Sequence, residues 1–141
     1  MIFEPSSQQD DTVKRVLDAA FIVHRELGCG LLESVYETCM MDLLLSWKMK
    51  VVKQKPFPVT FMGKVLETGF RADLVVNDDV IVELKSIEKL LPIHEAQIMT
   101  YLRLSGINLG LILNFNVPLM KQGIKRIIVS QNRGDLGVRG V

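Results

Sequence analysis

The stretch RADLVVNDDVIVELK, residues Arg71 to Lys85, decides how the chain folds. It reads as two short apolar strands around a polar turn. With the turn at Asn77-Asp78-Asp79, a three-residue loop, the register pairs Val76 with Val80, Leu74 with Val82 and Ala72 with Leu84. All six are apolar, so this face is read as the core face. The side-chain period of two then sets Val75 opposite Ile81, Asp73 opposite Glu83 and Arg71 opposite Lys85 on the other face. A one-residue slip would mix the two faces.

Like charges directly opposite each other destabilise a strand pair, so Asp73 and Glu83 need compensation. One answer is a divalent cation between the carboxylates, because hard cations take oxygen ligands; Lys85 then stands beside the site as an ammonium. The other is a surface ion-pair cluster in which Arg71 and Lys85 neutralise the acids. The hairpin alone leaves both open, since Asp followed by Glu-x-Lys is a short pattern that chance supplies easily.

Outward from the hairpin, the chain punctuates itself. PSSQQDDT (residues 5–12) reads as a mobile lead-in with Asp11 or Thr12 as N-cap. Val13, Val16, Leu17, Ala20, Phe21 and Leu27 then follow helical spacing, with His24 on the same stripe, up to GCG. A second helix is expected from about Leu31 to Trp47, burying Leu32, Val35, Cys39 and Leu43. Strands follow near 51–61 and 64–70, with Pro56 and Pro58 marking an edge. A third helix begins near Pro92 and ends at Gly106. LGLILNF (109–115) and GIKRIIVS (123–130) are the last strands. The order predicts an α/β (α+β) fold on a mixed sheet flanked by helices.

The 141 residues suit one domain over 1–141, with 1–11 and 131–141 as mobile ends. Apolar residues make up 48% and charged ones 23%, an ordinary globular composition. The net charge of +1 does not select a nucleic-acid partner; residues 121–141 carry five Lys or Arg against one Asp, either a basic surface or a solvated tail. Cys29 and Cys39 form no CxxC pair and are read as reduced thiols of a cytoplasmic protein. The acidic, polar start does not read as a signal peptide, and MMDLLL (40–45) is too short to span a bilayer.

Two helices offer further polar groups. Glu33 and Tyr36 stand at the start of the second helix; a first-turn Glu also has an explanation in the helix dipole. His94, Gln97 and Tyr101 fall on one polar stripe of the third helix, with Ile98 and Leu102 facing inward. Such a stripe could orient a substrate backbone, or belong to an ordinary amphipathic helix.

Together FRADLVV (70–76), IVELK (81–85) and QIMTY (97–101) resemble the PD-(D/E)xK nuclease superfamily, and more closely its RecB-like branch with a Q-x-x-x-Y motif. GLLESVY (30–36) is similar to the signature of the GxxExxY protein family, carried by Gly30, Glu33 and Tyr36. The similarity extends over roughly Val13 to Val129, including VHRELG (23–28), PIHEAQIMTYL (92–102) and LGLILNFNVPLMKQGIKRI (109–127). The resemblance implies a restriction-endonuclease-like core and Mg²⁺- or Mn²⁺-dependent cleavage of nucleic acid, with DNA favoured. It implies Asp73, Glu83 and Glu33 as metal ligands, Glu33 often through water, and Lys85 as the catalytic lysine beside these three acids. Gln97, Tyr101, Arg71 and Tyr36 would support the substrate. Ala72 stands where the superfamily motif has Pro.

Metal-bound water and charge neutralisation would serve phosphodiester hydrolysis, with Lys85 as a point charge. Arg71, Lys89 and Arg103 are candidates for flanking phosphates, and no aromatic cluster marks a stacking platform. Two other classes compete: a catalytically inactive nucleic-acid-binding module on the same fold, and a protein-interaction domain with merely solvated acids. A homodimer or a partner protein is expected, because one small domain carries no separate specificity module.

Overall fold

In the computed structural model, which describes residues 3–130, the central turn closes where the pattern requires. Asn77 and Asp78 take positive φ of 52° and 60°, and Val76 pairs with Val80. The chain runs α1 (Ser7–Leu27), α2 (Glu33–Ser46), β1 (Val51–Phe61), β2 (Lys64–Val76), β3 (Val80–Lys85), α3 (Pro92–Ser105), β4 (Leu109–Asn114), a 3₁₀ turn (Met120–Gly123) and β5 (Ile124–Ile128). The five strands lie in sequence order. β1–β2 and β2–β3 are antiparallel, β3–β4 is parallel through the α3 crossover, and β4–β5 is antiparallel. This is the expected mixed sheet, except that the strand near 64–70 and the first strand of the central hairpin are one continuous β2.

Helices cover both faces, which makes three layers. On one face α1 and α2 set Val16, Ala20, Met40 and Leu44 against Leu74, Val82, Leu111 and Leu113. On the other, Ile98 and Leu102 of α3 cover Val75, Ile81 and Ile112. The face that carries Val75 and Ile81 is therefore a second core, and it takes in Ala72, which the sequence reading set on the first core face with Leu74 and Leu84. A strand buried on both sides reads as a continuous apolar run, as LGLIL does. Gly110 on β4 sets the depth of α3: a Cβ there would lie 2.9 Å from Ile98 Cδ1.

The helix ends show where local pattern misleads. α1 starts at Ser7, earlier than Asp11 or Thr12, so part of the expected mobile lead-in is helical. Ser6 and Gln9 form a reciprocal capping box: Gln9 N–H donates to Ser6 Oγ at 3.0 Å, and Ser6 N–H to Gln9 Oε1 at 3.1 Å. Its inner face uses Ala19 and Val23, whereas Phe21 and Leu27 are exposed. In α2 the buried stripe is Tyr36, Met40 and Leu44, one residue out of phase with the expected one; Leu32 and Val35 are exposed. α3 begins at Pro92 and ends at Gly106 with φ 81°, as expected. No helix among the described residues is long and apolar enough to cross a membrane. The expected tail, 131–141, lies outside the described residues.

Candidate active site

The β2–β3 ladder stops at Leu74 and Val82. Beyond that pair the two acids take over the bonding between strands. Asp73 N–H donates to Glu83 Oε2 at 2.8 Å, and Leu84 N–H donates to Asp73 Oδ2 at 2.9 Å. Each carboxylate thus satisfies a backbone donor of the opposite strand where the ladder no longer does, as buried donors require. Asp73 and Glu83 are thus joined through backbone amides, whereas the strand pairs expected here, Ala72 with Leu84, Asp73 with Glu83 and Arg71 with Lys85, do not form.

Their electrostatics follow from this position. Glu83 is buried, and desolvation followed by the charge of Asp73 pushes its pKa up to about 8. Its hydrogen bond from Asp73 N–H and the charge of Lys85 act in the opposite direction, while Glu33 raises it further. Neither Arg71 nor Lys85 forms an ion pair with either acid among the described residues; the four ion pairs lie elsewhere. Arg71 instead donates to the Gln54 carbonyl at 3.5 Å. The ion-pair reading of the hairpin is therefore not what the structure contains.

Both neighbouring helices reach this end of the sheet. Glu33, in the first turn of α2, accepts from Ser86 N–H at 3.3 Å, directly after Lys85. One turn on, Glu37 accepts from Gln54 Nε2 at 2.9 Å, and the same amide nitrogen donates to Asp73 Oδ1 at 3.2 Å. Burial and then the charges of Asp73 and Glu33 work to raise the pKa of Glu37, against the Gln54 hydrogen bond. Sequence reasoning passed over both Glu37 and Gln54. The i, i+4 spacing of Glu33 and Glu37 was a usable signal; nothing in the sequence marks Gln54, whose φ of 50° sets it in an irregular stretch of β1.

From α3, Tyr101 stacks on Phe70 with ring centroids 4.2 Å apart, and Phe70 stacks in turn on Phe57. Burial, then the charges of Glu83 and Asp73, raise the Tyr101 pKa. Gln97 is exposed on the same helix. His94 caps it, its Nδ1 accepting from Leu91 N–H at 2.9 Å. Arg103 lies apart, lining a recess with Met99, Ile128 and Val129 beside β5. Lys89 is exposed in the loop after β3.

Tyr36 is not a surface group of the site. It is fully buried, stacked on Phe115 at 4.4 Å, and its hydroxyl donates to the Gly28 carbonyl at 2.6 Å while accepting from Leu31 N–H. It fastens the turn that delivers Glu33. Buried Asn114 does the equivalent work after β3: its Oδ1 accepts from Ile87 N–H and its Nδ2 donates to Ile87 O.

The donor chemistry fits a hard cation. Asp73 and Glu83 bring two carboxylates to the same end of the sheet, and Glu83 is held where a negative charge is unfavourable without a counter-ion. No group of three or more His, Cys, Asp or Glu among the described residues is gathered as a ready metal cage. A cation here would be held by the Asp73–Glu83 pair and by water, as Mg²⁺ commonly is, with Glu33 outside direct reach of a three-acid cluster.

A mixed five-stranded sheet flanked by helices, with Asp, Glu and Lys at the point where two strands part, is a restriction-endonuclease-like fold. The family model described as the PD-(D/E)XK nuclease superfamily matches residues 10–127, and the chain belongs to that superfamily. No curated protein and no solved structure matches the chain.

Proposed function

We propose that this protein is a divalent-cation-dependent nuclease that hydrolyses phosphodiester bonds, with DNA as the preferred substrate. The observation that carries the reading is the Asp73–Glu83 pair, one acid buried against the other with no cationic side chain bonded to either. Superfamily membership supports the same chemistry. Within the superfamily, Gly30, Glu33 and Tyr36, and Gln97 with Tyr101, favour the GxxExxY family and the RecB-like branch.

Asp73 and Glu83 would hold Mg²⁺ or Mn²⁺, which when bound supplies Lewis acidity and a water of lowered pKa. Lys85, next but one to Glu83 on the same strand, stabilises negative charge as it develops on the phosphate. Gln54 fixes the orientation of Asp73 from β1. Tyr101 and Gln97 stand on the α3 side, where a phosphate or sugar oxygen can accept from them. Arg71 and Lys89 hold flanking phosphates without reading sequence.

The test is a panel of labelled DNA and RNA substrates incubated with Mg²⁺, Mn²⁺ or EDTA, using wild type and Asp73→Asn. Cleavage by wild type in metal alone supports the reading. A protein that melts higher with Mn²⁺ yet cleaves nothing in the panel is the inactive binding module on the same fold.

A further inference from the structure

The hairpin of β1 and β2 outruns the sheet. β2 pairs with β3 only from Leu74 to Val76, whereas β1 and β2 pair with each other from Val51–Val76 out to Phe61–Lys64. The ribbon outside the sheet starts at Asp73 and extends away from it, so the acidic site lies at its root. Phe57 and Phe70 anchor its base on Tyr101. Past a register shift between Phe57 and Val59, where a Cβ on Gly69 would overlap the Val59 side chain, no other strand among the described residues lies beside the ribbon.

Its tip is not made for water. Phe61 is 65% exposed, Met62 88% and Val65 60%. An apolar cluster of this kind on a projecting element marks an interaction surface. Its flanks are cationic: beyond Asp73, Lys55, Lys64 and Arg71 stand against Glu67 alone within residues 54–72. That is a local charge of +2 on a chain whose total is +1.

The geometry points to this arm as a groove-entering clamp for duplex DNA, resting on the nuclease reading above and specifying its substrate. Two strands about 4.8 Å apart with their side chains fit a major groove about 12 Å wide, and a minor groove of about 6 Å excludes them. The deep, narrow major groove of A-form RNA excludes them as well. Lysines on the flanks meet phosphates on the groove walls, and Phe61 and Met62 meet thymine methyl groups on its floor. Because the arm springs from Asp73, a duplex held along it brings its backbone to the acids.

The experiment uses two double variants of the full chain, Phe61→Ser with Met62→Ser and Lys55→Ala with Lys64→Ala. Binding to a short labelled DNA duplex is read by fluorescence anisotropy in EDTA over a range of salt. The tip variant should bind roughly tenfold or more weakly. The flank variant should flatten the slope of log K against log salt by about two. Both should hydrolyse the small ester bis(p-nitrophenyl) phosphate in Mn²⁺ at the wild-type rate, because that substrate does not need the arm. Wild-type duplex affinity in both variants overturns the clamp. So does equal wild-type affinity for duplex RNA, or a dimer that the tip variant dissociates in sedimentation, which would make the arm a protein interface. A wild type that binds duplex through the arm but hydrolyses neither DNA nor the ester overturns the nuclease reading and leaves the clamp standing.

Discussion

Asp73 and Glu83 are joined through a hydrogen bond that a strand ladder would ordinarily supply from its own backbone: the amide of Asp73 donates to the carboxylate of Glu83 at 2.8 Å. The carboxylate of Asp73 reaches back to the amide of Leu84 at 2.9 Å. Two acids are thereby fixed at close quarters by bonds that neither can give up without exposing a buried donor. The fold holds the repulsion in place.

The first consequence is a pH dependence of stability. Burial and Asp73 raise Glu83 from an ordinary 4.5 to about 8 in the folded protein. Between those two values the folded chain binds more protons at Glu83 than the unfolded chain does. Stability from this residue is therefore full below about pH 4.5 and declines as pH rises toward 8. Denaturant melts of wild type and Glu83→Gln across that window, in EDTA, should diverge as pH rises, with wild type losing more. Parallel curves would show that Glu83 does not titrate within it.

Metal should invert the order of the same two proteins. Glu83→Gln keeps an acceptor for Asp73 N–H and removes a buried charge. In EDTA at pH 8 it should equal wild type or exceed it by roughly 1–3 kcal/mol. In millimolar Mn²⁺ wild type should become the more stable, gaining RT ln(1 + [L]/Kd). A mutant less stable than wild type in EDTA at that pH would mean that the Glu83 charge is itself stabilising.

Lys85→Ala should abolish cleavage while sparing metal binding. Lys85 adjoins the acids yet cannot ligate a cation while protonated. The expected loss in kcat is roughly 10²–10³-fold, the size of one lost transition-state donor, with the Mn²⁺-induced melting shift retained. Cleavage at the wild-type rate would remove Lys85 from the chemistry.

Tyr36→Phe separates support from contact. The Tyr36 hydroxyl is engaged by Gly28 O and Leu31 N–H inside the fold. Its removal should cost roughly 1–3 kcal/mol of stability and leave KM unchanged below the melting temperature. A raised KM at full stability would mean that the hydroxyl reaches substrate.

What the sequence disclosed and what it hid have physical causes. The register next to the turn was legible because Asn77-Asp78-Asp79 admits the turn and only one phase keeps apolar residues together; farther out it was not, because the carboxylates of Asp73 and Glu83 replace the ladder and Ala72 turns to the other core. Pro92 and Gly106 bounded α3 because each residue suits one end of a helix. The phase of α2 was not legible: ESVYETCMMDLLLS carries apolar residues around much of its circumference, and the choice between Val35–Leu43 and Tyr36–Leu44 falls to the packing of Tyr36 on Phe115. Tyr36 itself misled because its polar tip suggested a surface role while its ring is core. Gln54 and Glu37 escaped because their meeting with Asp73 depends on a backbone irregularity and on how closely α2 approaches β1.

β1 lies at one edge of the sheet and also forms one leg of the arm. An open edge is a template on which a second chain can grow a strand, and a projecting two-stranded ribbon with an apolar tip would be a strong one. Pro56 and Pro58 interrupt that template, since neither has an amide hydrogen to offer a newcomer. During synthesis and refolding, when many copies display the same ribbon, these two prolines guard against polymerisation. They leave the arm sticky through its side chains and unresponsive through its backbone, so that it can hold something other than another strand.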